Sequence, residues 1–216
     1  HGLGVRQALL AGTVWQLALL QGLSLIAGLY SLGFFLPAII KAFSGLSDAR
    51  VSLLAAIPYL AGAASMVAVG ARSDSTGYRW RYIVACSLTA ASGFALSALL
   101  HAPALELAAL ALAAAGIFSA MGPFFSLPAT FLSGDAAAAG IALINSVANM
   151  LGFAVPYALG LLRDATGGYR SGLALLALLP LAGAAHALRL SRHPTFRGDA
   201  AASTVVALPA ATVTAR

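Results

Sequence analysis

Gly70-Ala71-Arg72-Ser73-Asp74-Ser75-Thr76-Gly77-Tyr78-Arg79-Trp80-Arg81 is a short charged island between two long apolar runs. Its three arginines stand out, because only 8% of the 216 residues are charged and 61% are hydrophobic. Soluble domains carry about 25% charged residues. A soluble fold of this composition would lack the charge to cover its surface, whereas lipid solvates the outside of a membrane bundle. The island therefore reads as a loop between two membrane-crossing helices. Its glycines supply the turn, Asp74 serves as a cap at a helix start or as an ion-pair partner, and its arginines decide which side of the bilayer holds it.

Working outward, a spanning helix needs roughly 20 mostly apolar residues. Six segments meet that length: Val14–Ile40, Val51–Val69, Tyr82–Leu100, Leu105–Leu132, Ala136–Leu162 and Leu173–Leu190. Backbone groups in lipid must pair within their own segment, so each run is expected to be helical. Runs rich in Ala, Leu and Gly lack the apolar/polar alternation of a membrane β-barrel. The expected organisation is a linker end at 1–12, a six-helix bundle at 13–190 and a disordered tail at 191–216. The chain opens at His1 in a basic stretch, and further chain is expected upstream. Gly62, Ala63, Gly70, Gly93, Gly116, Gly152 and Gly160 are expected to let helices approach closely.

Six crossings put both termini and the 70–81 loop on one side. Arg6, Arg72, Arg79, Arg81, Arg189, Arg192, Arg197 and Arg216 then share that side, and Lys41, Arg50, Arg163 and Arg170 lie opposite. The positive-inside rule places the larger group in the cytoplasm. The net charge of +6 is spread over loops and the tail, with no dense basic face for nucleic acid. Cys86 is the single cysteine, so no disulfide forms within the chain. No His-Glu-x-x-His, paired intramembrane aspartates or phosphate loop is present, which argues against an enzyme and a metal site. His101, His186 and His193 have no metal-ligand spacing.

The island has a copy. Gly70, Asp74, Thr76 and Gly77 recur as Gly160, Asp164, Thr166 and Gly167, and Phe34-Phe35 recur at the same offset as Phe124-Phe125. Each Phe pair is followed by a proline, Pro37 or Pro128. Helices one to three thus resemble helices four to six. Three is odd, so the second copy enters the membrane from the opposite face, an inverted-topology repeat of the kind secondary transporters use.

Gly70-x-x-x-Asp74-x-x-Gly77-x-Arg79 resembles the loop signature of the major facilitator superfamily, where it joins the second and third helices of each six-helix half. Ser75 and Tyr78 depart from it, standing where basic residues are usual. Tyr30–Ile40, Gly122–Leu132 and Gly140–Asn149 are similar to the anion:cation symporter family, and within it to tartrate-transporter-type members. The resemblance covers about residues 12–190 and implies an all-α integral membrane fold: the C-terminal six-helix half of a twelve-helix transporter, with the N-terminal half outside this chain. It also implies a gate at Gly70, Asp74, Gly77 and Arg79 that latches against that other half. Asp164, with Arg163 and Arg170, is expected to do likewise on the outer face.

Asn145 and Asn149 lie four apart on the fifth segment and so share a helix face with Ser146 beside them. Amides at membrane depth need partners or water. Gln21 and Tyr30 lie on the first segment, which lines the central cavity in the superfamily. They are about 13 Å apart in rise, too far to meet one small molecule at one depth in an unbroken helix. Gln21, Tyr30, Ser126, Asn145, Ser146 and Asn149 are the candidate substrate-binding residues; the alternative for Asn145, Ser146 and Asn149 is helix–helix hydrogen bonding that holds the bundle, and for Ser126 a back-bond to its own helix. Pro37, Pro123 and Pro128 free carbonyls and are the expected points of flexing.

The functional expectation is proton-coupled uptake of a small organic anion, a hydroxy-dicarboxylate or sugar acid, by alternating access across a bacterial inner membrane. No cofactor other than the coupling proton is expected; the partners are the bilayer, the anion and the missing half. A facilitator for a sugar or drug, and a free-standing six-helix scaffold or sensor, are the alternatives.

Overall fold

The computed structural model describes residues 4–196. A short helix α1 (Val5–Leu10) precedes six long apolar ones: α2 (Gly12–Ser44), α3 (Asp48–Thr76), α4 (Arg79–Leu99), α5 (Pro103–Phe125), α6 (Gly134–Thr166) and α7 (Arg170–Leu190). All six are long and apolar enough to cross a bilayer, and the described residues contain no strand. The molecule is an all-α membrane bundle.

Local chemistry sets the helix ends. Gly45, Gly77 and Gly167 follow α2, α3 and α6 with φ of 64°, 72° and 74°, the left-handed geometry that glycine adopts without strain. Asp48, Glu106 and Asp135 sit in first turns, where a negative charge meets the positive end of the helix dipole.

The connections alternate between two ends of the bundle. At one end Trp80 and Phe131 both pack on Phe196, with ring centroids 4.9 and 5.6 Å apart. That joins the α3–α4 turn, the α5–α6 connection and the segment after α7. At the other end Arg170 donates from Nη1 to the Ala98 carbonyl (3.0 Å) and from Nη2 to the Leu100 carbonyl (2.9 Å) and Glu106 Oε1 (3.2 Å). That joins the α4–α5 turn to the start of α7. Residues 70–81 and 163–170 therefore occupy opposite ends, as an inverted pair of three-helix units requires.

The repeat extends to atomic detail. Thr76 Oγ1 donates to the Arg72 carbonyl at 2.9 Å, and Thr166 Oγ1 to the Leu162 carbonyl at 2.7 Å. Gly77 and Gly167 each return an amide to the residue four before, at 2.9 and 2.8 Å. Asp-x-Thr-Gly is thus the closing turn of the second helix in each unit.

That placement corrects the loop reading of 70–81. α3 runs unbroken through Gly70 and Asp74 to Thr76, and only Gly77 and Tyr78 lie between helices. Asp74 is in a last turn and does not cap a helix start, because the glycine that can turn left-handed stands after it. Three further expectations change. α5 stops at Phe125, and Pro128 lies beyond it in a 3-10 turn, Pro128–Thr130. Prolines also sit inside helices at Pro58, Pro156 and Pro180. Ser191–Phe196 folds back, burying Phe196 against Trp80, so the tail expected from 191 is ordered there; its remainder, 197–216, lies outside the described residues.

The tightest packing is between α4 and α5. A Cβ on Gly93 would strike the backbone of Ala113 and Ala109, and one on Gly116 would strike Ala90 and Cys86. Without a hydrophobic drive between helices in lipid, close backbone approach through small residues supplies the dispersion that holds them. Gly62 accepts the Phe118 ring and Gly152 accepts Tyr30 and Ile26. A Cβ on Gly70 would meet nothing within 4 Å and one on Gly160 only the Phe35 ring at 3.9 Å, so neither position is closed to a side chain, although Gly122 on α5 faces the Gly70 Cα.

Gly93→Leu or Gly116→Leu is expected to cost on the order of 1–3 kcal/mol or more by overpacking, read as a lowered melting temperature in detergent, while Gly70→Leu leaves it unchanged. In a Cys86→Ala background, an impermeant maleimide applied to sealed vesicles is expected to label only one of Ser75→Cys and Ala165→Cys. Labelling of both from the same side would contradict the alternation.

Candidate functional site

α2 and α6 run in the same direction and pack side by side, and between them lie four of the polar residues expected to bind substrate. Gln21 Nε2 donates to Asn145 Oδ1 at 2.8 Å, and the Tyr30 hydroxyl donates to Asn149 Oδ1 at 3.1 Å. Gln21 is buried, Asn145 half-buried, and Tyr30 and Asn149 exposed. Two donors nine residues apart on α2 thus meet two acceptors four apart on α6. The helix does not break to allow this. A π turn, Gly22–Ile26, follows Gln21, and a long tyrosine side chain in a helix leans back toward its N-terminus. π turns inside α-helices recur at functional sites.

These bonds decide what the asparagines present. Each carboxamide oxygen is taken by a donor from α2, so each NH2 group remains to donate elsewhere. The amides of Asn145 and Asn149, about 6 Å apart in rise, form a pair of donors suited to oxygen acceptors. Gln21 Oε1 is a buried acceptor with no partner among the described residues, as are the hydroxyls of Ser24 and Ser31 on the same helix. A buried polar group left unpaired costs about 1–3 kcal/mol.

The exposed stripe of α6 explains which way this surface faces. It carries Ser146, Asn149 and Tyr157 among its apolar residues. The exposed stripe of α7 is Ala174, Leu178, Leu181, Ala182, Ala185 and Leu188, and that of α4 runs Ala85, Leu88, Ser92, Leu96 and Leu99. Apolar stripes suit hydrocarbon; amides and hydroxyls do not, so α6 turns toward a polar cavity or another protein surface. Tyr157, eleven residues from Ser146 and hence on its face, was not among the expected site residues. A tyrosine in an apolar run carries no signal until the face it shares is known.

Ser126 does not join the cluster. Its hydroxyl donates to the Pro123 carbonyl at 2.8 Å, back onto its own helix. At the island, Asp74 is exposed and makes no ion pair among the described residues, and it sits at a helix C-terminus where the dipole disfavours a negative charge. Arg79 opens α4, and Gly77 makes the turn between them. At the opposite end Asp164 makes no ion pair among the described residues. Arg170 pairs with the buried Glu106, and Arg163 stacks over the Tyr169 ring at 5.1 Å. Glu106 won Arg170 because two carbonyls at the end of α4 hold the same guanidinium. Pro37 is exposed within α2 and Pro123 buried within α5.

No protein-family model matches the chain. It is 39% identical over 155 residues to a quinolone resistance transporter of Acinetobacter baumannii, covering 72% of this chain and 36% of that protein. It is 43% identical over 166 residues to an Agrobacterium vitis protein whose name describes a tartrate transporter, covering 77% and 38%. It is 38% identical over 151 residues to the inner membrane transport protein RhmT of Escherichia coli, covering 69% and 34%. The chain spans well under half the length of these relatives.

A double-mutant cycle of Gln21→Ala and Asn145→Ala is expected to return a coupling of about 0.6 to 1.7 kcal/mol in unfolding free energy, the range for hydrogen bonds between membrane helices. A coupling of zero would mean the pair is not formed in the folded protein.

Proposed function

From a chain homologous to one half of a major-facilitator-type membrane transporter, we propose that this bundle is one wall of an alternating-access path for a small organic anion. A hydroxy-dicarboxylate or a sugar acid is the substrate class. The carrying observation is the amide pair: Asn145 and Asn149 have their carbonyl oxygens engaged by Gln21 and Tyr30 and their NH2 groups free to donate. Carboxylate and hydroxyl oxygens are the acceptors that match. The relative named for tartrate transport supports the same class.

In this reading a second six-helix half, lying in the rest of the protein, faces α2 and α6 and closes the path. The two halves rock about the bound anion, exposing it to one side and then the other. Pro37 and Pro123 let their helices bend as this happens. Among the described residues every charged side chain lies near a span end, so the charge that meets the anion and the acid that carries the coupling proton belong to the second half. Asp74, disfavoured where it stands, pairs with a cation of that half when the path is shut at the arginine-rich end. That end, with Arg72, Arg79, Arg81, Arg189 and Arg192, is cytoplasmic by the positive-inside rule, and the membrane is the bacterial inner membrane.

The whole protein, reconstituted in proteoliposomes, tests this. Asn145→Ala and Asn149→Ala are each expected to lower uptake of labelled tartrate or a related acid by about tenfold or more, the loss for one charge-assisted hydrogen bond. Residues 1–216 alone are expected not to transport. Full uptake by both variants, or by the six-helix segment, would refute the proposal. The relative named for quinolone resistance favours a drug as cargo instead; failure of carboxylates to compete, with quinolone competing, would decide for it.

A further inference from the structure

A groove of about 530 Å³ opens where α4 begins and α7 ends, at the end of the bundle away from Arg170. Val84, Leu88 and Leu188 wall it and Phe196 closes its back, with the Trp80 indole set edge-on against the Phe196 ring. Arg79 and Arg81 line it, and no carboxylate among the described residues does. The Arg81 guanidinium lies 5.3 Å over the Tyr78 ring and has no ion pair among the described residues.

The groove continues into the exposed apolar stripes of α4 and α7, through Leu88 on one helix and Leu188 on the other. Those stripes face hydrocarbon, so the groove opens sideways into the bilayer at headgroup depth and not into the substrate path. Its chemistry runs in two zones: methyl groups and rings toward the bilayer centre, and guanidinium groups at the surface. The geometry points to a bound anionic phospholipid, with its phosphate beside the Arg81 guanidinium and an acyl chain along Leu88 and Leu188. Basic pockets between membrane helices hold anionic headgroups in this way. The inference rests on the membrane placement and not on the identity of the transported anion.

The test uses the whole protein, purified and reloaded with phosphatidylglycerol or phosphatidylcholine, with retained lipid counted by native mass spectrometry. Wild-type protein is expected to keep phosphatidylglycerol over phosphatidylcholine. Arg81→Gln is expected to lower that preference about fivefold, the effect of one surface cation. Arg81→Lys keeps it, and Leu188→Trp, which fills the groove without touching a charge, abolishes it. Arg163→Gln, at the opposite end, leaves it unchanged. Equal retention of both lipids, or a preference unmoved by Arg81→Gln and Leu188→Trp in protein that runs monodisperse, would overturn the inference. So would displacement of the lipid by millimolar inorganic phosphate, which would make the site one for a free anion. A photo-crosslinker at position 188 gives a readout without loss of fold: adducts to phosphatidylglycerol are expected, and adducts only to residues 197–216 would assign the groove to the tail.

Discussion

A polar group in hydrocarbon has no water to fall back on, and the whole arrangement of this chain follows from where each such group finds its partner. The backbone settles its own account by forming helices. Several hydroxyls do the same on a smaller scale: Thr76, Thr89, Ser126 and Thr166 donate to carbonyls of their own helices. What remains is a short list of side chains that cannot be satisfied locally, and those residues tie one helix to another. Gln21 with Asn145, Tyr30 with Asn149, and Arg170 with Glu106 and the end of α4 are the ties.

The two ends of the bundle meet this demand differently. At the Arg170 end, one guanidinium serves two carbonyls and a carboxylate, and the hairpin of α4 and α5 is pinned to α7 from within the chain. At the arginine-rich end, aromatic rings do the joining through Phe196, while Asp74 stays exposed. The same Asp-x-Thr-Gly turn is therefore built twice with different surroundings. A repeat preserves the helix end because the left-handed glycine and the threonine back-bond are local. The surroundings differ because partners come from elsewhere in the fold.

The packing divides in a related way. α4 and α5 meet backbone to backbone through Gly93 and Gly116, a contact that leaves no room for a side chain and none for polar groups. α2 and α6 meet through amides, a phenol and a π turn, which leave buried acceptors unfilled. One interface is closed by backbone contact. The other has bonding capacity left over, and it is the one that carries the proposed site.

Much of this was legible beforehand. The apolar run lengths gave the six helices, and their ends needed only a few residues of adjustment. The offset between the two Asp-x-Thr-Gly stretches gave the inverted repeat, since an odd number of crossings reverses direction whatever the packing. The four-residue spacing of Asn145 and Asn149 placed both on one face. These are properties of local chain geometry, which a linear pattern carries in full. Which atoms of those amides are engaged, that Glu106 and not Asp164 takes Arg170, and that Pro128 lies past the end of its helix were decided only when distant segments met. Hydrogen bonds between residues 64 to 124 positions apart leave no periodicity behind, so sequence settled how the chain crosses the membrane and tertiary contact settled what each crossing offers to its neighbours.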